Sequence, residues 1–200
     1  MLAAGASTRF RGGGGSDATK LVAKLDGKPI VRRVVEAALA AKARPVVVVT
    51  GYARDSVEGA LGDLDVELVF NPEFASGLAS SLSAGLSAMP ADVAGALVLL
   101  GDMPKIKARL IDALIAAFLA RQDALAAAPL RGGRRGNPVL LGRALFDQAM
   151  RLKGDEGARR LIGALSAYEL VEVEASDAGV TLDIDTPDDL AAARRFRGES

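Results

Sequence analysis

The residues best suited to chemistry in this chain are carboxylates and cations placed behind apolar runs. Asp102 stands in the segment Gly101-Asp102-Met103-Pro104, which directly follows Leu97-Val98-Leu99-Leu100. A carboxylate at the carboxyl end of a buried central strand is placed to hold a hard divalent cation such as Mg²⁺. Asp183 and Asp185 lie two residues apart, so in an extended segment both point the same way and can complete such a site. Near the start, Leu2-Ala3-Ala4-Gly5-Ala6-Ser7-Thr8-Arg9 forms a small-residue turn whose backbone N–H groups can approach a ligand closely. Arg9 and Lys20 are cations suited to phosphate oxygens.

Two further segments carry weaker signals. Asn71 to Gly77 is a loop that leads into Leu78-Ala79-Ser80-Ser81, a small-residue helix start. Ser80 or Ser81 near a helix N-terminus can donate to an anion or a ribose. Arg131-Gly132-Gly133-Arg134-Arg135-Gly136-Asn137 is a Gly-rich basic loop that can embrace an anion. Each signal also has a plain structural reading: a mobile basic turn, an Asp-Pro turn, capping with close helix packing, or a solvated hairpin. Thr186-Pro187-Asp188-Asp189 reads as an N-cap, a first-turn proline and acidic residues favoured at a helix start, so Asp188 and Asp189 are not assigned as ligands.

Composition narrows the chemistry. The 200 residues include no His and no Cys, which excludes imidazole bases, thiol nucleophiles, disulfides and zinc-thiolate sites. Lys+Arg and Asp+Glu both total 25, so the chain is neither a bulk nucleic-acid binder nor polybasic like a membrane-surface protein. No run approaches the roughly 18 apolar residues of a membrane span, and no signal peptide is read at the start. A cytoplasmic location is the expectation, and the oligomeric state is left open between monomer and dimer. The remaining inventory fits charge neutralisation around phosphate groups with a hard metal.

The elements that must position these residues alternate. Strands are expected at 45–50, 66–70, 94–100, 124–129, 139–141 and 170–173. Helical patterns fall at 29–41, 55–61, 80–89, 107–121, 143–150, 156–165 and 187–195. The Gly12–Gly15 run is read as a flexible loop. This order predicts one α/β domain over 1–200: a mostly parallel mixed sheet with helices on both faces, and its ligand beyond the carboxyl ends of the strands.

Taken together, the order of these segments resembles one family. Leu2-Ala3-Ala4-Gly5 with Ser7 and Arg9, Lys20-Leu21, Gly77-Leu78-Ala79-Ser80-Ser81, Gly101-Asp102-Met103-Pro104, Gly136-Asn137-Pro138-Val139 and Asp183-Ile184-Asp185-Thr186-Pro187 are similar to the molybdenum cofactor cytidylyltransferases, within the MobA-like nucleotidyltransferases. The resemblance implies a Rossmann-like nucleotidyltransferase fold and transfer of CMP from CTP to the phosphate of molybdopterin, releasing pyrophosphate. It implies catalytic roles for Lys20, Arg9 and Asp102, and Mg²⁺ or Mn²⁺ held by Asp102 with Asp185 or Asp183. It places nucleotide contacts at Leu2, Ala3, Ala4, Gly5, Ser7, Gly77 and Ser81. Acceptor contacts fall at Asn71, Ser76, Gly136 and Asn137. A molybdoenzyme of the xanthine dehydrogenase type is the implied downstream partner.

Within that family Ala4 accompanies CTP, whereas the guanylyltransferase branch carries a second glycine there. Only Met1 precedes Leu2, where relatives carry several apolar residues. The chain is therefore expected either to be truncated at its start or to have a very short first strand. The linker Arg11–Thr19 is longer and richer in glycine than usual, and Lys105 and Lys107 follow Gly101-Asp102-Met103-Pro104 where a Thr or Ser helix cap is common. Two other readings stay open: transfer to a sugar or polyol phosphate, including guanylyl transfer, and a maturation chaperone that binds nucleotide or cofactor without turnover.

Overall fold

The first strand, β1 (Leu2–Ala3), is two residues long, and its neighbours hold it on both sides. Val49 N donates to Met1 O, Leu2 N donates to Leu99 O and Gly101 N donates to Leu2 O, each at 2.9 Å. The Met1 amino group donates to Val47 O at 2.5 Å, and burial pushes its pKa down to about 5. The computed structural model describes residues 1–15, 17–176, 178–180 and 182–195.

Its elements in chain order are β1, α1 (Thr8–Gly12), the hairpin β2 (Lys24–Leu25) and β3 (Lys28–Pro29), α2 (Ile30–Ala40), β4 (Val47–Thr50), α3 (Arg54–Leu61) and β5 (Glu67–Phe70). Then follow α4 (Leu78–Ser87), β6 (Gly95–Val98), α5 (Ala108–Leu119), β7 (Ala126–Arg131), β8 (Arg134–Arg135), β9 (Val139–Gly142), α6 (Phe146–Met150), α7 (Ala158–Gly163), β10 (Leu170–Glu174) and α8 (Pro187–Arg195). The expected strands and helices are found, with ends moved by a few residues. Two expectations change. Residues 8–12 form a short helix where a turn was read, because Phe10 is buried and anchors it. The Lys24–Pro29 hairpin was not anticipated; Asp26 and Gly27 both take positive φ (50° and 80°), the requirement of a tight two-residue hairpin turn.

β1 pairs in parallel with β4, and β4 with β5. A parallel bridge between Leu2 and Leu100 joins β1 to the end of the β6 segment. The sheet therefore runs β5-β4-β1-β6-β9-β7-β10, with β9 antiparallel to β6 and to β7, and β10 parallel to β7. The chain moves outward from β1 through β4 to β5, then returns to β6 on the other side. The carboxyl ends of β1 and β6 thus flank a switch point, where open α/β sheets leave a crevice.

Alternate side chains bury opposite faces. Ala126, Ala128, Val139 and Leu141 pack with Leu82 and Leu86 of α4, Phe146 and Ala149 of α6, and Ile162 of α7. Ala127 and Leu140 pack with Val34 and Ala38 of α2 and with Leu110, Ile111 and Leu114 of α5. Ala3 and Val48 meet α2 and α3 through Val31, Val35, Val57 and Leu61. Each fully buried aliphatic side chain contributes about 1.5–3 kcal/mol. A mostly parallel sheet with helices on both faces is what the residue pattern anticipated.

One small cluster fixes the site. Ile184 is fully buried with Phe10, Ala23, Leu25, Ile30 and α8 residues Leu190 and Ala193. It anchors the Asp183–Asp185 segment, while Arg194 Nη2 donates to Lys24 O at 2.9 Å and ties α8 to the hairpin.

Candidate active site

A cleft of about 580 Å³ opens at the switch point. Its walls are the β1 turn Leu2–Arg9, Lys20 and Leu21, Phe74, Ala75, Gly77 and Leu78 with Ser81, Leu100 to Asp102, Asp155, and Asp183 with Asp185. Backbone bonds bring these distant segments together: Gly101 N to Leu2 O at 2.9 Å, and Ile184 N to Asp102 O at 3.1 Å.

At one end lies a charge cluster. Lys20 Nζ is 2.6 Å from Asp102 Oδ2 and 2.6 Å from Asp185 Oδ1, and Arg9 Nη1 is 2.6 Å from Asp185 Oδ2. Lys20 and Asp102 are largely enclosed, at 13% and 17% side-chain exposure, whereas Arg9 is open at 75%. Burial alone would lower the Lys20 pKa; the charge and hydrogen bond of Asp102, then those of Asp185, more than offset it and hold the ammonium above its ordinary value. Lys20 is therefore a fixed cation at neutral pH.

Asp102 keeps one oxygen in reserve. Its Oδ1 is buried and, among the described residues, has no hydrogen-bond partner. A buried anionic oxygen without a donor is costly, so it points to a cation or donor from outside the chain. Asp102 and Asp185 together offer hard oxygen ligands of the kind a divalent cation takes. Among the described residues no three acidic, His or Cys side chains converge on one point. Two carboxylates completed by phosphate oxygens and water remain compatible with an Mg²⁺-type ion, which keeps several waters and seldom has an all-protein cage.

The β1 turn supplies backbone donors. Ser7 takes φ 51°, and its Oγ lies 2.8 Å from Thr19 Oγ1, fixing the turn that opens α1. Among the described residues, the N–H groups of Gly5, Ala6 and Ser7 donate no backbone hydrogen bond. Such a run can receive an anion. Ala4 is buried and its O accepts from Tyr52 N at 3.1 Å. Its methyl packs beside Gly51: a Cβ built on that glycine would fall 2.8 Å from it and 2.6 Å from Phe74 Cβ. Ala4, Gly51 and Phe74 are therefore closely packed beside the β1 turn.

The cleft brings together Leu2, Ala3, Ala4, Gly5, Ser7, Arg9, Lys20, Gly77, Ser81, Asp102, Asp183 and Asp185, all singled out in the sequence. Asp183 is exposed at its rim. Four other residues lie off its lining. Asn71 is buried, and its amide donates to Ser80 Oγ at 2.9 Å and Ser81 Oγ at 3.1 Å, while its Oδ1 accepts from Glu73 N. It clamps the loop to α4. Ser76 Oγ donates to Glu73 O at 2.8 Å. Gly136 packs against Val180 O, where a Cβ would lie 2.4 Å away, and Asn137 N donates to that oxygen at 3.0 Å. The Arg131–Arg135 loop is the β7–β8 hairpin, with Arg135 paired to Glu172 at 2.6 Å.

Asp155 is a cleft residue that was not singled out in the sequence, and Phe74 entered only as part of the Asn71–Gly77 loop. Phe74 meets Tyr52 edge-on, with centroids 6.3 Å apart. A Gly-Asp-Glu-Gly run, Gly154 to Gly157, was the available signal for Asp155. At the start of α8 the sequence reading holds: Asp189 accepts from Thr186 N at 2.8 Å, and Thr186 Oγ1 accepts from Asp189 N at 3.2 Å, a reciprocal cap.

Among known proteins, the MobA-like NTP transferase domain matches residues 1–171. The chain is 30% identical over 150 residues to the molybdenum cofactor cytidylyltransferase of Escherichia coli, covering 74% of this chain and 73% of that protein. It is 31% identical over 172 residues to the bifunctional protein GlmU of Leifsonia xyli, covering 84% of this chain but 35% of that protein. It thus spans about a third of that relative's length. A nucleotidyl transferase from Methanothermobacter thermautotroptrophicus superposes with TM-score 0.83 at 25% identity, covering 98% of this chain and 94% of that one. Fold, motif order and matched length agree: the chain belongs to the MobA-like NTP transferase domain family and is a nucleotidyltransferase.

Proposed function

We propose that this enzyme transfers CMP from CTP to the phosphate of molybdopterin and releases pyrophosphate. An oxygen of the acceptor phosphate attacks the α-phosphorus, the bond from that phosphorus to the bridging oxygen breaks, and pyrophosphate leaves with the electron pair. No protein nucleophile is needed, which suits a chain without His or Cys. The protein's task is alignment and charge neutralisation.

In this reading the N–H groups of Gly5 to Ser7 cradle the triphosphate, and Arg9 and Lys20 neutralise it. Lys20 leaves its carboxylates for the phosphate oxygens as substrate enters. Asp102 and Asp185, with Asp183 at the rim, hold Mg²⁺ or Mn²⁺, which when bound supplies charge neutralisation on the phosphate oxygens. The nucleoside lies between Leu2–Ala4 and the Gly77–Ser81 wall. The observation that carries the reading is the cluster Arg9–Asp185–Lys20–Asp102, with its unpartnered buried oxygen, at the mouth of a backbone-lined cleft.

In this reading CTP is favoured over GTP by Ala4, whose methyl occupies room that a glycine there would leave to a purine. A sugar-phosphate acceptor remains the second reading. Pyrophosphate release from CTP and from GTP, each with molybdopterin and with a sugar 1-phosphate, separates the two. Release with CTP and molybdopterin above the other pairs is expected; release only with the sugar phosphate overturns the assignment.

A further inference from the structure

Asp155 is a cleft carboxylate that the charge cluster does not use. It is exposed on the cleft wall beside Gly77, Leu78 and Ser81, and among the described residues it pairs with no cation. In a cleft for a polyanion a lone carboxylate repels ligand unless it faces a neutral, donor-bearing part.

Its position is built. Gly77 takes φ +113°, and a Cβ there would lie 2.3 Å from Gly154 C and O. Ala79 N donates to Gly154 O at 2.9 Å. Gly154 has φ +58°, and a Cβ on Gly157 would meet Leu78 Cδ2 at 2.8 Å. Three glycines thus seat the 153–157 loop directly on the start of α4. Asp155 is fixed to the wall assigned to the nucleoside, apart from the Lys20 cluster that takes phosphates.

We propose that Asp155 reads the nucleobase. Its carboxylate accepts a hydrogen bond from the exocyclic amine of cytosine and repels the carbonyl oxygen that uracil carries at the same place. The inference rests on the nucleotide-cleft reading above and adds a second filter to it. Ala4 limits size, and Asp155 selects an amino pyrimidine over an oxo pyrimidine.

The test is calorimetric binding of CTP and UTP, with Mn²⁺, to the full chain and to Asp155→Asn and Asp155→Ala. The parent is expected to bind CTP about tenfold or more tighter than UTP. Asparagine can donate or accept, so Asp155→Asn should gain UTP affinity and bring the two within about threefold. Asp155→Ala should lose CTP affinity with little change for UTP. Unligated melting temperatures equal to the parent's would exclude a folding effect. Binding with an unchanged CTP to UTP ratio in both variants overturns this proposal alone. A parent that binds neither nucleotide overturns the cleft reading and this proposal with it.

Discussion

Lys20→Met is the most informative single change, because it removes one charge from between two. In the parent, Nζ lies 2.6 Å from an oxygen of each of Asp102 and Asp185, and Lys20 is 13% exposed. Removing the shared partner of a buried pair costs about 3–5 kcal/mol, since the remaining charge is left uncompensated. Here Asp185 is 26% exposed and Arg9 still reaches it, so water and Arg9 screen part of the loss. A cost of about 2–3 kcal/mol follows for the unligated protein. For a chain of this size that is a fall in Tm of about 4–12 °C.

The pH profile carries a second signature. The folded pKa of Lys20 is raised, so its stabilisation is fully present below the unfolded value and is lost as pH rises through the folded one. Parent and variant should therefore differ by a constant amount at neutral pH and converge only above about pH 10.5. Thermal melts in low-salt buffer from pH 6 to 11 read both effects. A Tm within 1–2 °C of the parent, or convergence already at pH 8, would refute the paired-cluster account. Adding about 10 mM Mn²⁺ should return part of the lost Tm, because a divalent cation can replace the missing ammonium between the carboxylates.

Four further outcomes follow. Asp102→Asn should keep its fold in melts yet lower pyrophosphate release by at least about two orders of magnitude, as loss of a preorganised charge at a reacting phosphate does. Gly77→Ala forces a side chain into positive φ and onto the Gly154 backbone, so it should cost about 2 kcal/mol or more by denaturant unfolding. Asp189→Ala breaks the reciprocal cap and should cost about 1–2 kcal/mol. The Thr186 side chain, then its backbone N–H, holds the Asp189 carboxyl below its ordinary range, so that contribution is present above the unfolded pKa and disappears as pH falls through the folded one in acid melts. Ala4→Gly should raise GTP use relative to CTP by about tenfold, measured as competing turnover.

The residue pattern made the main scaffold legible because its long elements have clear periods. Val46–Thr50 is a continuous β-branched run, and Ile30, Val31, Val34, Val35 and Ala38 recur at helical spacing; both became buried elements. The carboxylates and cations behind the strands were legible because a parallel sheet turns its carboxyl ends into a site. Other features depend on contacts between distant segments. Helix α1 forms because Phe10 is buried with Ala23, Ile184 and Leu190, residues far along the chain. Strands β2 and β3 are two residues each, too short for a period, although Asp26-Gly27 was a hairpin signal. Asp155 joins the cleft only through the packing of Gly77, Gly154 and Gly157. Asn71, assigned by resemblance to the acceptor, is buried in a loop clamp instead of lining the cleft.

The central claim is that a nucleoside triphosphate binds at the carboxyl ends of β1 and β6 with a metal held by Asp102. The most direct measurement is the thermal shift of the parent and of Asp102→Asn with CTP, GTP, UTP and ATP, each with and without Mg²⁺. A nucleotide at 100 times its dissociation constant stabilises by about 2.7 kcal/mol. The account predicts a rise of about 5–11 °C for the parent with CTP and Mg²⁺, larger than with any other nucleotide and lost in Asp102→Asn. Equal shifts in both proteins, or no shift with any nucleotide, would contradict it.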